Sequence, residues 1–209
     1  MSERYASVNT HTQTQIKIEG SRFITDVFPV ENETEAKKHL EEVRKKYFDA
    51  THHCYAFTFG ESRSFVRYSD DGEPAGTAGV KIFSAIQTND ISDVLIIVTR
   101  YFGGTKLGVG GLGRAYFDSA NTAIKNSEII FKAVLQQLEV TFPFDETNPV
   151  MNFITTRKYK IQRTDYASDS CSLLVLIPPT QLNDVKTLIT NTTRGKAKLI
   201  CKEIQTIKL

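Results

Sequence analysis

Five consecutive aliphatic residues, Val94-Leu95-Ile96-Ile97-Val98, interrupt a chain whose other segments mostly mix apolar and polar positions. A strand with one wet face would alternate, so this run predicts a strand over Asp93–Thr99 that is covered on both faces. Upstream, residues 1–13 read as a loose tail, and two short strands follow between Gln15 and Val30 around Gly20-Ser21. Ala36, Leu40, Val43 and Tyr47 recur at helical spacing behind the capping pair Asn32 and Glu35, which predicts a helix over roughly 33–48. Tyr55, Phe57 and Phe59 share one side of a hairpin, 52–59 and 64–68, turning at Gly60-Glu61-Ser62. Pro74 is placed to open a helix running to about Gln87 with Val80, Phe83 and Ile86 on its packing face. Another helix is expected from about Gly111 to Asn126.

Beyond Phe131 the pattern starts afresh. Strand character at 138–142 is followed by helical spacing over 146–158, strands at 159–165 and 171–177, a helix opened by Pro178-Pro179-Thr180, and a final strand over Ala197–Ile207. Strand, helix, strand, strand, helix, strand is the order of a ferredoxin-like split βαβ domain. The expected architecture is α+β in two domains, 1–130 and 135–209.

Composition narrows the function only slightly. The 209 residues are 40% hydrophobic and 24% charged, with a net charge of +2, so charge alone does not imply nucleic acid. Cys54, Cys171 and Cys201 are odd in number and contain no CxxC pair, which fits neither a disulfide framework nor a cysteine zinc site. The start, MSERYASVNTHTQTQ, is polar, and no stretch approaches 18 consecutive apolar residues. The expected setting is the cytoplasm, without membrane contact.

Glycine is distributed far less evenly. Nine of the 12 glycines lie between Ser69 and Ala120, where charges also segregate: Asp70, Asp71 and Glu73 on one side, Arg100, Lys106 and Arg114 on the other. No acid stands between Asp93 and Asp118. Gly108-Val109-Gly110-Gly111-Leu112-Gly113 satisfies G-x-G-x-x-G, yet seven residues separate it from the strand that a dinucleotide fingerprint needs immediately before it. A Walker loop is excluded because Val109 and Gly110 occupy the Lys and Ser/Thr positions. Two readings remain: amides at 110–113 cradle an anion beside Arg114, or the glycines let the helix pack closely on its sheet.

The acidic loop has carboxylates suited to a hard cation, but three acids in four residues also describe a turn paired with Arg100 or Lys106. His52 and Cys54 would share a strand face, with His53 opposite; no orienting Asn or Asp can be placed by spacing, so a histidine capped by the acidic loop is preferred to a Cys-His nucleophile. Phe102 and Phe117 are assigned to the core. Thr99-Arg100-Tyr101-Phe102 and Arg114 with Tyr116-Phe117 mix cations with rings, as surfaces that stack on single-stranded bases do and as protein hot spots do.

Three blocks carry a family resemblance: His52-His53-Cys54-Tyr55-Ala56, Ser69 through Gly79 (SDDGEPAGTAG), and Val98 through Tyr116 (VTRYFGGTKLGVGGLGRAY). Together they resemble the signature of the IMPACT family in its bacterial two-domain, YigZ-like form, over about residues 1–128. Ala75 departs from a common serine, Val80-Lys81-Ile82-Phe83 from lysine-proline-isoleucine-leucine, and Gly113 from valine. The resemblance implies a first domain like the second domain of a small-subunit ribosomal protein, shared with GHMP kinases and domain IV of elongation factor G. It implies a ferredoxin-like second domain similar to elongation factor G domains III and V. Eukaryotic relatives regulate translation, and no defined enzymatic activity accompanies the family.

The expectation is therefore a non-enzymatic RNA- or ribosome-associated protein in translation control. Its surface would comprise Arg100, Tyr101, Lys106, Arg114 and the backbone of Gly108, Gly110, Gly111 and Gly113, faced by Asp70, Asp71 and Glu73, with His52 and His53 as accessories. No metal or cofactor is expected. The alternatives are a regulator that binds protein alone, and a phosphate- or nucleotide-binding enzyme using Gly111-Leu112-Gly113.

Overall fold

The structure is a computed structural model that describes residues 4–209. The chain divides into two units, one extending to Lys132 and one spanning Ala133–Lys208. The first contains β1 (Arg4–Val8), β2 (Thr12–Ile18), β3 (Ser21–Pro29), α1 (Glu33–Lys46), β4 (His52–Phe59), β5 (Phe65–Ser69), α2 (Gly79–Thr88), β6 (Val94–Tyr101) and α3 (Gly108–Lys125). Its main sheet has the order β2-β3-β6-β4-β5, with antiparallel neighbours throughout.

The aliphatic run lies in the centre of this sheet and feeds two cores. Val94, Ile96 and Val98 join Phe23, Cys54 and Ala56 beneath α2 and α3, while Leu95 and Ile97 join Phe57 beneath Ala36, Leu40 and Val43 of α1. Every residue from Val94 to Arg100 is buried, as a strand covered by helices on both faces requires. Helix α1 begins where Asn32 accepts a hydrogen bond from the Glu35 amide at 3.0 Å, and Glu35 in turn accepts from the Glu31 amide at 2.8 Å.

Two expectations about this unit fail. Residues 4–8 are a strand rather than tail, and the strand expected from Gln15 already begins at Thr12; residues 1–3 lie outside the described residues. The segment TQTQIKI is an edge strand, so its alternating polar side chains remain wet while its backbone pairs with β3. Pro74 does not open a helix either: α2 starts at Gly79, and 70–78 is a loop held by Asp70.

The second unit contains most of β7 (Ile129–Pro143), then α4 (Thr147–Thr156), β8 (Lys160–Tyr166), β9 (Ser170–Ile177), α5 (Leu182–Thr192) and β10 (Lys198–Lys208). Strand β9 pairs antiparallel with both β7 and β8, and β10 pairs with β7. Leu138, Val140, Phe142, Leu173, Val175 and Ile177 alternate onto one face, where Val150 and Ile154 of α4 and Val185 and Ile189 of α5 cover them. Among the described residues no helix is long and apolar enough to cross a membrane.

Candidate functional site

Antiparallel register determines what converges beneath α3. Phe23 and His52 are both opposite Arg100, so these three side chains share the face on which α3 packs. Tyr116 descends from α3 onto Phe23, edge to face at 5.3 Å. Glu73 arrives from the acidic loop and closes the cluster. Its Oε1 accepts from Arg100 Nη1 at 2.6 Å and from the Tyr116 hydroxyl at 2.8 Å, and its side chain is only 4% exposed. Cys54 Sγ lies 3.3 Å from the Tyr116 hydroxyl and donates to the Asp70 carbonyl. Burial pushes the Cys54 thiol and the Tyr116 hydroxyl above their ordinary pKa values, so both remain protonated at neutral pH. A neutral, hydrogen-bonded thiol does not supply the thiolate of a Cys-His nucleophile.

Each acid of the loop has a different duty. Asp70 caps α2: Oδ1 accepts from the amides of Ala78 and Gly79 at 2.9 and 2.8 Å, and Oδ2 accepts from Gly76 at 2.9 Å. Burial opposes its charge, but these three amides outweigh that effect and hold the carboxyl below its ordinary 3.8. Asp71 binds Arg44 of α1 at 2.8 Å and the His53 amide at 2.6 Å. Only Glu73 faces the cation set predicted to oppose the loop. Among the described residues no group of His, Cys, Asp and Glu is arranged to hold a metal.

The expected cation surface is therefore rearranged. Arg100 is 5% exposed and paired, so it forms the interior of the site rather than its surface. The Tyr101 ring is covered on one face by Arg22, 4.2 Å from the centroid, and its hydroxyl donates to Asp49 at 2.7 Å. Phe102, assigned to the core, is 48% exposed because β6 ends at Tyr101. Phe117 is half-buried against the core. Lys106 and Arg114 are exposed and have no carboxylate partner among the described residues, and the same holds for Lys81 on α2.

These three cations surround the first turn of α3, whose cap residue Leu107 provides no side-chain hydrogen bond. A Cβ added at Gly108 or Gly110 would meet nothing within 4 Å, and one at Gly111 only Leu107 Cβ at 3.5 Å; these three glycines therefore serve an open surface rather than close packing. Gly113, which is buried, would place a Cβ 3.2 Å from Lys81 Cε. One pocket, of about 330 Å³, is lined by Glu73, Arg100, Phe102, Lys106 and the start of α3; another, between α2 and α3, is lined by Lys81, Gly110, Gly113 and Arg114. Lys81 was invisible as a site residue in the sequence because its approach depends on helix pairing.

The two histidines serve the loop. His52 Nδ1 donates to the Asp71 carbonyl at 2.7 Å, and Nε2 lies 3.8 Å from Glu73 Oε2. His53 Nε2 donates to the Tyr47 carbonyl at 3.1 Å, and burial holds this imidazole below its ordinary 6.5 despite the opposing pull of Asp71. Unfolded His53 takes up a proton that the folded chain resists, so stability should decline as pH falls through about 6.5. A second decline should follow below about 3.8, as Asp70 loses the charge that its three amides favour. Melting temperature measured from pH 8 to 3 tests both, with His53→Gln expected to remove the upper decline; an identical profile in that variant would exclude His53 as its source.

Residues 19–124 match the model of the Impact N-terminal domain, about half of the chain and most of the first unit. The chain is 30% identical to the IMPACT family member YigZ of Escherichia coli (strain K12), over 90% of this chain and 92% of that protein. It is 29% identical to the IMPACT family member YvyE of Bacillus subtilis (strain 168), over 95% of this chain and 91% of that one. A crystal structure described only as that of a hypothetical protein superposes with a TM-score of 0.67 at 28% identity, covering 97% of this chain and 99% of its own. With the matched domain model spanning the clustered glycines, the acidic loop and both histidines, and with the YigZ match extending through both units, the chain belongs to the IMPACT family.

Proposed function

We propose that this protein is a non-enzymatic, RNA- or ribosome-associated factor in the control of translation, and that it contacts RNA phosphate through the surface around the first turn of α3. The observation that carries the reading is the unpaired trio Lys81, Lys106 and Arg114 around an uncapped helix N-terminus, on an 18-residue helix with no acid before Asp118. Helix amides and their dipole attract anions there, and three cations without partners strengthen the attraction. Fold supports the reading by analogy only. The order β10-β7-β9-β8, with both helices on one face, fits a ferredoxin-like unit, and the first unit fits the ribosomal-protein second-domain type; translation factors combine such modules.

Replacing Lys106 and Arg114 together with alanine should weaken single-stranded RNA binding at least tenfold, about 1.4 kcal/mol. The slope of log affinity against log salt should fall by about 1.5 as two phosphate contacts are lost. Both side chains are exposed, so circular dichroism should be unchanged. Fluorescence anisotropy against RNA and purified ribosomal subunits provides the comparison. Equal binding by both proteins would remove this surface from RNA recognition and favour a protein partner on the rim formed by Phe102 and Val109, which are 48% and 69% exposed.

A further inference from the structure

Gly113 lies inside α3, where glycine is less favourable than alanine, and its backbone does not require glycine because its φ is not positive. Space is the constraint. An added Cβ would stand 3.2, 3.5 and 3.8 Å from Cε, Cγ and Cδ of Lys81, so the lysine stem runs across the bare backbone of α3. Gly113 is buried, while Arg114 beside it is exposed. A lysine whose stem lies along such a surface keeps its ammonium free for solvent or ligand, and Lys81 has no carboxylate partner among the described residues.

The groove between α2 and α3 that this crossing helps to line has a volume of about 420 Å³. Lys81 and Arg114 line it and no carboxylate does, in contrast to the neighbouring pocket, which Glu73 lines along with Lys106. Val109, 69% exposed, lines both, so it forms a ridge with Lys106 on one side and Lys81 and Arg114 on the other. Two cationic recesses separated by one residue suit successive phosphates of a strand, whereas a nucleoside monophosphate would occupy only one of them.

We infer that Gly113 is a positioning residue: by lacking a side chain it holds open the path along which Lys81 reaches the α2–α3 groove. There Lys81 and Arg114 take one phosphate of an RNA strand whose neighbouring phosphate lies on Lys106. This assignment rests on the RNA reading and deepens it, because the ligand becomes a strand rather than a mononucleotide. The groove is built by side chains from two helices, and Gly113 belongs to the second turn of α3 rather than to its N-terminus.

Two substitutions in the full chain separate the charge from its placement. Lys81→Met keeps a stem over Gly113 and removes the ammonium; Gly113→Ala keeps the ammonium and displaces the stem, whose Cε is the flexible end of a side chain and can swing away. Each should weaken binding of a short single-stranded RNA by about threefold and lower the slope of log affinity against log salt by about 0.7, as one phosphate contact on a single strand is lost. Combined, they should lose no more than Lys81→Met alone, because no ammonium is left to misplace. Gly113→Ala should melt no lower than its parent, since alanine is the better helix former, so its weaker binding would not reflect unfolding. NMR of the unbound protein supplies a readout without RNA: a nuclear Overhauser contact between Lys81 Hε and Gly113 Hα. Absence of that contact would overturn the positioning role even if RNA binds, and so would full affinity and slope in Gly113→Ala, or a double variant in which the two losses multiply. If Gly113→Ala does not fold, Lys81→Met decides the matter, and unchanged binding there removes Lys81 from the surface. The contact present in a parent protein that binds no RNA would instead defeat the RNA reading, and with it the role assigned to Lys81, leaving the crossing as packing alone.

Discussion

Gly103→Ala should prevent the first unit from folding stably, at a cost of more than about 4 kcal/mol, the range reserved for gross overpacking or loss of a buried network. A Cβ on Gly103 would stand 1.9 Å from Gly20 C and 2.2 Å from Ser21 N, both backbone atoms that cannot rotate away. Those atoms belong to the two-residue turn joining β2 to β3, where Glu19 and Gly20 take φ of +44° and +78°, and Ile18 pairs with Ser21. Moving the turn would pull Ser21 from its place: its Oγ accepts from the Gly103 amide at 3.1 Å and from Arg100 Nη2 at 3.3 Å. Gly110→Ala provides the contrast. Nothing lies within 4 Å of its added Cβ, so the change should be neutral or stabilising by up to about 1 kcal/mol through reduced backbone entropy in the unfolded chain. Urea unfolding followed by far-UV circular dichroism compares the two, since the chain has no tryptophan. A Gly103→Ala protein as stable as its parent would show that the turn and the end of β6 do not touch.

That contrast also indicates which parts of the molecule were legible beforehand. The run Val94–Val98 could be read because five aliphatic residues in succession have no soluble explanation other than cover on two faces, and the order of elements after Phe131 could be read from period alone. Pairing register could not. Arg100 counts as a surface cation until β6 is placed opposite His52 and Phe23, which turns it inward toward Glu73. Asp70 and Asp71 are indistinguishable from solvated turn residues in the sequence, because apart from the distant Arg44 their partners are backbone amides at Gly76, Ala78, Gly79 and His53, and amides leave no compositional trace. The strand at 4–8 and the first residues of the strand at 12–18 were missed for a related reason: an edge strand needs only one paired side and no apolar run. Asp93 shows the same limit. Its carboxylate accepts from the Tyr5 hydroxyl at 2.6 Å, Lys132 Nζ at 2.8 Å and the Gly60 amide at 2.8 Å, three partners scattered across the first unit.

Arg100→Met should destabilise the first unit by roughly 3–5 kcal/mol, because it leaves the Glu73 carboxylate buried without its counter-charge. Methionine approximates the length and apolar stem of arginine, so little of that loss would come from packing. The guanidinium also lies 5.4 Å from the Phe23 centroid and 5.5 Å from that of Phe102, contacts that a thioether partly replaces. Adding Glu73→Gln to Arg100→Met should recover most of the loss, since a neutral amide needs no counter-ion and can still accept from Tyr116. The cycle of wild type, two single variants and the double variant, measured by urea unfolding, then yields a coupling energy of at least about 2 kcal/mol. A surface ion pair would give at most about 1 kcal/mol in the same cycle. Coupling near zero would mean that water reaches Glu73 in solution. The carboxylate would then be an ordinary solvated acid, held by Arg100 and Tyr116 no more strongly than a surface pair.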